Sequence, residues 1–359
     1  MIISMLAYIM ITWYGQHCGP EEYNTIMFIS WLGAVGSPMS IYDYFLEFSR
    51  VPAVPIVSYP ILRLLNLTTR KCLLEDPRAH AELIQKTCQI LEMDACLLLL
   101  DLTVEAELLG ALVEFPEYDA PRIVRRLDID QVRKIDNLGR TLLMVEAIKR
   151  ASTSCKKPLG SYVIGPFTTL CQVLGIEHIM LHLARRSERI FSTLDLITDI
   201  CIKHARDLVE AGVDFLIVAE PTSSLLSRDL LEAFSKPYLE VLCKEVEADI
   251  ILHICGRAGH LLRNIAELKI TGVSIDQNIP LEEASAELPE NMLIFGNYNP
   301  VNLLFKNPEE IKFDVLKMLE PVIHDKRVVA STGCDVPSTA PIENIKAFIQ
   351  ASKSMSRPD

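Results

Sequence analysis

The sequence predicts an α/β fold, a single-domain (β/α)₈ TIM barrel, on three observations. Short apolar runs alternate with helical stretches, and there are eight such runs after residue 50. The runs are nearly continuous in Val, Ile and Leu, as parallel strands buried on both faces require. No Gly-rich phosphate loop follows any of them, which argues against an open doubly wound sheet.

The elements are read in order. A short helix over 40–48 leads through Arg50-Val-Pro-Ala-Val-Pro55 to a first strand over 54–58. A helix over 77–92 precedes the second strand, 95–102, and a helix over 129–151 precedes the third, 160–164. The remaining pairs are 194–211 with 215–220, 229–247 with 249–255, 260–268 with 272–276, then a strand over 293–297, then 308–319 with 327–332. A helix over 342–352 closes the chain. Asp76-Pro77 and Asn307-Pro308 set Pro at a first helical position behind a capping residue, and Gly212 ends the helix before it. The segment 105–124 breaks the repeat: apolar pieces at 112–115 and 122–124 flank Pro116. It reads as a hairpin or lid inserted at the barrel mouth after the second strand, with Glu105 and Glu107 solvated.

The chain has 359 residues and a net charge of −12, with no Lys/Arg cluster, so nucleic acid is not an expected partner. Its ten cysteines are scattered without a CxxC, which fits a reducing, cytoplasmic setting. Residues 1–38 differ from the rest: they hold both tryptophans, Trp13 and Trp31, and no Lys or Arg occurs before Arg50. A secretory signal needs a positive leading region. Neither apolar run there reaches the roughly 18–20 residues of a membrane span, so stable insertion is not expected. The preferred reading takes Met39 as the true start, with the barrel over 39–359; the alternative is an amphipathic extension that touches membrane.

Active sites of this fold lie at the C-terminal ends of the strands. The residues there are Ser58 and Tyr59, Asp101, Gly165-Pro-Phe167, Glu220, His253 and Cys255, Asp276, Asn297 and Cys334. Side chains at i and i+2 of a strand share a face, so His253 and Cys255 look the same way. If Cys334, beyond the last strand, joins them, one His and two Cys converge. Three N/S ligands with a fourth position open is the pattern of a catalytic zinc. For each residue alone, a buried small hydrophobe or a helix cap is the simpler role.

These residues resemble a known superfamily. From about residue 39 to 352 the chain resembles the uroporphyrinogen decarboxylase superfamily, and within it the methylcobamide:coenzyme M (thiol) methyltransferases. The resemblance rests on Arg50-Val-Pro-Ala-Val-Pro55, Gly165-Pro-Phe-Thr168, Glu220-Pro-Thr-Ser-Ser224, Phe295-Gly-Asn-Tyr-Asn-Pro300, Pro341, and above all His253-Ile-Cys-Gly256 with Ser331-Thr-Gly-Cys-Asp335. It implies Zn²⁺ on His253, Cys255 and Cys334, and transfer of a methyl group from a methylated corrinoid to a small thiol such as coenzyme M. Homocysteine and a pterin are the other acceptors considered. Tyr59, Asp101, Phe167, Glu220 and Asn297 are the expected substrate-binding residues, and Glu220 is a candidate to hold the second ring nitrogen of His253. The chain has no corrinoid-binding Asp-x-His-x-x-Gly, so the corrinoid (methylcobalamin) should arrive on a partner protein, with 105–124 as its contact. The alternative is uroporphyrinogen decarboxylase itself, with Asp101 where its Asp falls. Against it, Tyr59-Pro-Ile-Leu-Arg63 offers one Arg where the decarboxylases carry an Arg-Gln-Ala-Gly-Arg segment, and a substrate with many carboxylates needs several cationic donors. A barrel that binds corrinoid proteins without turnover is the third reading.

Overall fold

The computed structural model describes residues 39–135, 139–184 and 188–358. The expectations for residues 1–38 lie outside the described residues. The apolar runs fold as strands: β1 (Cys96–Leu97), β2 (Leu112–Glu114), β3 (Arg122–Arg125), β4 (Leu159–Ile164), β5 (Phe215–Ala219), β6 (Asp249–Ile254), β7 (Gly272–Ile275), β8 (Leu293–Tyr298) and β9 (Val328–Thr332). Seven of them form one curled parallel sheet in the order β1-β4-β5-β6-β7-β8-β9. β4, β5, β7, β8 and β9 are buried along their whole length, which is why their runs show no polar alternation. The architecture is of TIM-barrel type.

Several boundaries differ from the sequence reading, each for a local reason. The first expected strand, 54–58, makes only a parallel bridge, Ala53 with Ala330. Val54 N–H donates to Ala330 O at 2.9 Å and Ala330 N–H to Pro52 O at 2.8 Å, while Asp94 N–H reaches Ala53 O at 3.0 Å. The segment thus touches β9 on one side and the approach to β1 on the other. Pro52 and Pro55 have no N–H, so a regular ladder cannot form there. The second strand is two residues long because side chains intercept its ladder: Leu99 N–H donates to His80 Nε2 (3.3 Å) and Leu100 N–H to Ser58 Oγ (3.1 Å). The helix expected over 129–151 is a 3-10 turn, Ile129–Gln131, followed by a helix that begins at Gly139. The helix expected over 229–247 is broken into Arg228–Phe234 and Lys236–Glu245, where Pro237 lacks the donor that would continue the first piece.

The helices that bear on the site are α1 (Pro77–Leu91), α2 (Val104–Leu108), α3 (Gly139–Ser154), α4 (Pro166–Leu174) and α5 (Ile342–Lys353). The inserted segment is α2 followed by an antiparallel hairpin, β2 with β3, paired at Val113 and Ile123. Two aromatic contacts fasten it: Arg63 lies over the Tyr118 ring at 3.9 Å and Arg140 over the Phe115 ring at 5.1 Å. Glu105 and Glu107 are not free in solvent, contrary to expectation. Glu105 is fully buried, bonded to His204 Nδ1 at 2.7 Å, and Glu107 accepts from Arg140 Nε at 2.8 Å. No helix among the described residues is long and apolar enough to cross a membrane.

His80, on α1, is buried beneath this sheet, and burial pulls its imidazole down to about 4 against a small opposing pull from Asp101. The folded value lies below the unfolded 6.5, so the unfolded chain takes up the proton first as pH falls. Stability from His80 is full above about 6.5 and is lost progressively toward pH 4, by about 3 kcal/mol in all. Urea titrations at pH 7 and pH 4.5 should show this loss, and His80→Gln should shrink it.

Candidate metal centre

His253 stands at the C-terminal end of β6, and Cys255 follows one residue beyond the strand. Gly256 then turns the chain at φ +82°, a conformation that suits glycine. Cys334 follows Gly333 just past β9. A Cβ on Gly333 would lie 2.6 Å from Gln277 N, so only glycine lets this turn approach the loop after β7. The result is a convergence across the sheet. His253 Nε2 lies 2.8 Å from Cys255 Sγ, and the Cys255 thiol donates to Cys334 Sγ at 3.4 Å. Ligand atoms of all three lie within 4.8 Å of one another. Strands β7 and β8 separate β6 from β9, about 14 Å at the usual strand spacing in a flat sheet. The thiols meet because the sheet is curled.

Ser274 fixes the imidazole. It is paired with His253 in the β6–β7 register, and its Oγ lies 2.9 Å from His253 Nδ1. With Nδ1 engaged, Nε2 faces the cysteines and is the nitrogen available to a metal. The Cys255 S–H, joined by the neighbouring His253 and opposed by burial, holds the Cys334 thiol down at about 4. Cys255 is correspondingly pushed far up, chiefly by the same sulfur contact. Two thiols and an imidazole nitrogen this close together make a donor set that suits a thiophilic divalent cation. Removing the serine hydroxyl should loosen the ring: Ser274→Ala is expected to weaken metal affinity about 10–100-fold, measured by competition with a chelator of known affinity.

Glu220 does not orient His253. Its backbone N–H donates to His253 O at 2.8 Å, but its carboxylate turns to the start of α4, accepting from Phe167 N–H (3.2 Å), Thr168 N–H (2.7 Å) and the Thr168 hydroxyl. An acidic group at a helix N-terminus meets free N–H donors there, which explains the preference. Burial raises its pKa to about 7 against those bonds. Gly165 leaves the room Glu220 occupies. Ser274 was missed because its role appears only once the strand register is known.

The other expected residues are engaged by their own neighbours in the fold. Tyr59 is fully buried with its hydroxyl on Leu100 O, and Phe167 is fully buried in α4. Asn297 donates to Asp276 O at 3.0 Å and to Ile279 O, bracing the loop after β7. Asp101 is bonded by Arg140 Nη1, by Thr103 N–H (3.0 Å) and by the Thr103 hydroxyl (2.7 Å). Two buried polar atoms lack a hydrogen-bond partner close to this centre, Tyr162 Oη and Asp335 Oδ1. Both groups are raised well above their usual pKa, first by burial; Asp335 and Cys334 add to the rise in Tyr162, and Cys334 to the rise in Asp335.

With this geometry in hand, comparison with known proteins assigns the chain. The uroporphyrinogen decarboxylase (URO-D) pattern matches residues 57–355. The chain belongs to the URO-D family. Among curated members, a methylcobamide:CoM methyltransferase MtbA of Methanosarcina acetivorans is 27% identical over 298 residues, covering 77% of this chain and 86% of that protein. A uroporphyrinogen decarboxylase of Thermodesulfovibrio yellowstonii is 23% identical over 283 residues, covering 76% and 83%. Among solved structures, a methyltransferase from Methanosarcina mazei superposes with a TM-score of 0.78 at 22% identity, covering 88% of this URO-D family chain and 98% of that one. That likeness supports the TIM-barrel type of the fold.

Proposed function

We propose that this chain moves a methyl group from a methylated corrinoid, carried by a partner protein, to a small thiol such as coenzyme M, and that His253, Cys255 and Cys334 hold a Zn²⁺ for the reaction. The observation that carries this reading is the convergence of one imidazole and two thiols at the C-terminal end of a barrel-type sheet. The donors suit zinc: Zn–S bonds of about 2.3 Å set tetrahedral sulfurs about 3.8 Å apart, near the 3.4 Å found here. When bound, the metal supplies a site where an alkyl thiol of pKa about 8.5 loses its proton at neutral pH. The chain's part is to tune that site. Two thiolates with a neutral imidazole would cancel the charge of a dication held by His253, Cys255 and Cys334, so a substrate thiolate added there would keep its negative charge and its nucleophilicity. The methyl–cobalt bond breaks as the sulfur–carbon bond forms, cobalt keeps the electron pair as Co(I), and the thiol proton goes to solvent.

The β2–β3 hairpin and α2 stand between β1 and α3, where the chain departs from the simple repeat. In this reading they are a lid at the mouth and the contact for the corrinoid protein. The names of the methylcobamide:CoM methyltransferase relatives support the donor and the acceptor. A cytoplasmic setting belongs to the same reading, on scattered cysteines that are unpaired throughout the described residues.

The decarboxylase reading has a specific basis in Asp101 and in the uroporphyrinogen decarboxylase relatives. Two contacts weigh against it. Asp101 is tied to Arg140, and Arg63 stacks on Tyr118. Zinc-loaded chain should therefore demethylate methylcobalamin when coenzyme M is added, and release no CO₂ from uroporphyrinogen. CO₂ release without demethylation would reverse the order of the two readings.

A further inference from the structure

A second site lies at the opposite end of the sheet from His253 and the two cysteines. Its charged residues precede strands or close helices: Arg50 ahead of the Pro52–Pro55 segment, Asp94 ahead of β1, Lys156 and Lys157 ahead of β4, Glu92 at the end of α1, and Lys353 at the end of α5. These residues line a cavity of about 620 Å³. That is within the roughly 300–1,000 Å³ of small-molecule sites.

Its charge runs against that of the chain. Four basic side chains, Arg50, Lys156, Lys157 and Lys353, line it with two acidic ones, Glu92 and Asp94, on a chain of net −12. Arg50 spends both terminal nitrogens on Asp94, at 2.8 Å each. Lys157 and Lys353 donate to Met93 O and Glu92 O, carbonyls just past the C-terminus of α1, and Lys353 also lies 3.2 Å from Asp94 Oδ1. Each ammonium has three donors, so these contacts leave donors over. Burial lowers the Lys353 ammonium, Asp94 opposes this, and Arg50 and Lys157 add to the lowering. The cluster therefore holds repelling cations that an added anion would relieve.

We propose that this cavity binds a phosphorylated small molecule. A guanidinium fork serves carboxylates and phosphates alike, and here the single fork is occupied by Asp94, which leaves ammonium groups to meet a ligand. Ammonium groups are point charges that suit phosphate oxygens. Tyr44, Phe48, Gln85 and Gln89 also line the cavity and offer aromatic and amide groups to the body of the ligand. The proposal is independent of the methyl-transfer reading, since it uses none of the same residues.

Calorimetric titration of the full chain with pyrophosphate, ATP and malonate, at physiological salt, tests it. Pyrophosphate and ATP should saturate one site per chain, with malonate at least about tenfold weaker, equal to about 1.4 kcal/mol. Lys156 is exposed, so Lys156→Glu should keep the fold, checked by circular dichroism, and weaken both phosphate ligands by at least about tenfold. Lys157→Met with Lys353→Met should do the same, whereas Cys334→Ala should change nothing. Absence of saturation overturns the site. Equal affinity in Lys156→Glu and the double variant overturns this location, and equal binding of malonate overturns the phosphate class.

Discussion

Cys334→Ala is expected to take zinc from about one per chain to near none and to stop methyl transfer to a thiol. Its sulfur is one of three ligand atoms within 4.8 Å, and it is the thiol held at about 4 beside Cys255 and His253. Loss of a group that merely orients a ligand costs about 10–100-fold in metal affinity, so loss of a ligand should cost at least the upper end of that range. Cys255→Ala should behave alike. The fold should survive in both, because neither thiol packs among the fully buried side chains of the core. Metal analysis after dialysis, with circular dichroism alongside, reads the outcome. Full zinc retention in Cys334→Ala would remove it from the centre.

Arg140→Met carries the largest expected loss of stability. Arg140 opens α3 just inside its first turn, with a side chain 5% exposed, and it bonds Asp101, whose side chain is fully buried. The same guanidinium donates to Glu107 at 2.8 Å and to Thr103 Oγ1 at 3.2 Å, and stacks on Phe115 of the inserted segment. Removing it leaves the Asp101 carboxylate buried without its counter-charge, which costs about 3–5 kcal/mol. Arg140→Lys should recover little, since a single ammonium cannot serve Asp101, Glu107 and Phe115 together. Urea unfolding followed by fluorescence and circular dichroism gives the difference. A loss under about 1 kcal/mol would show that Asp101 is not an unpaired charge in the variant.

The two predictions rest on residues of very different legibility. His253, Cys255 and Cys334 were readable because each is tied to a strand end, and strand ends in this fold converge whatever the loop details. Arg140 was not, since its pairing with Asp101 spans 39 positions and crosses from a helix start to a strand end. Ser274 needed the β6–β7 register, and Glu220 needed knowledge that α4 starts beside it. The fold class was legible in the apolar runs, but the first two strands were overestimated. Prolines lack the backbone donor, and the side chains of Ser58 and His80 take two more, that an unbroken run of Val and Leu would give to a ladder. The helix expected over 129–151 differs in its first part: the apolar spacing continued across Ile129–Gln131, where the backbone makes a 3-10 turn.

The most direct test of the metal centre is zinc K-edge X-ray absorption on the chain purified without added metal. One zinc per chain is expected, with two sulfur neighbours at about 2.3 Å, one imidazole nitrogen at about 2.0–2.1 Å and a lighter exchangeable fourth ligand. Addition of coenzyme M should raise the sulfur count to three. A chain without zinc, or zinc with only nitrogen and oxygen around it, would contradict the centre formed by His253, Cys255 and Cys334.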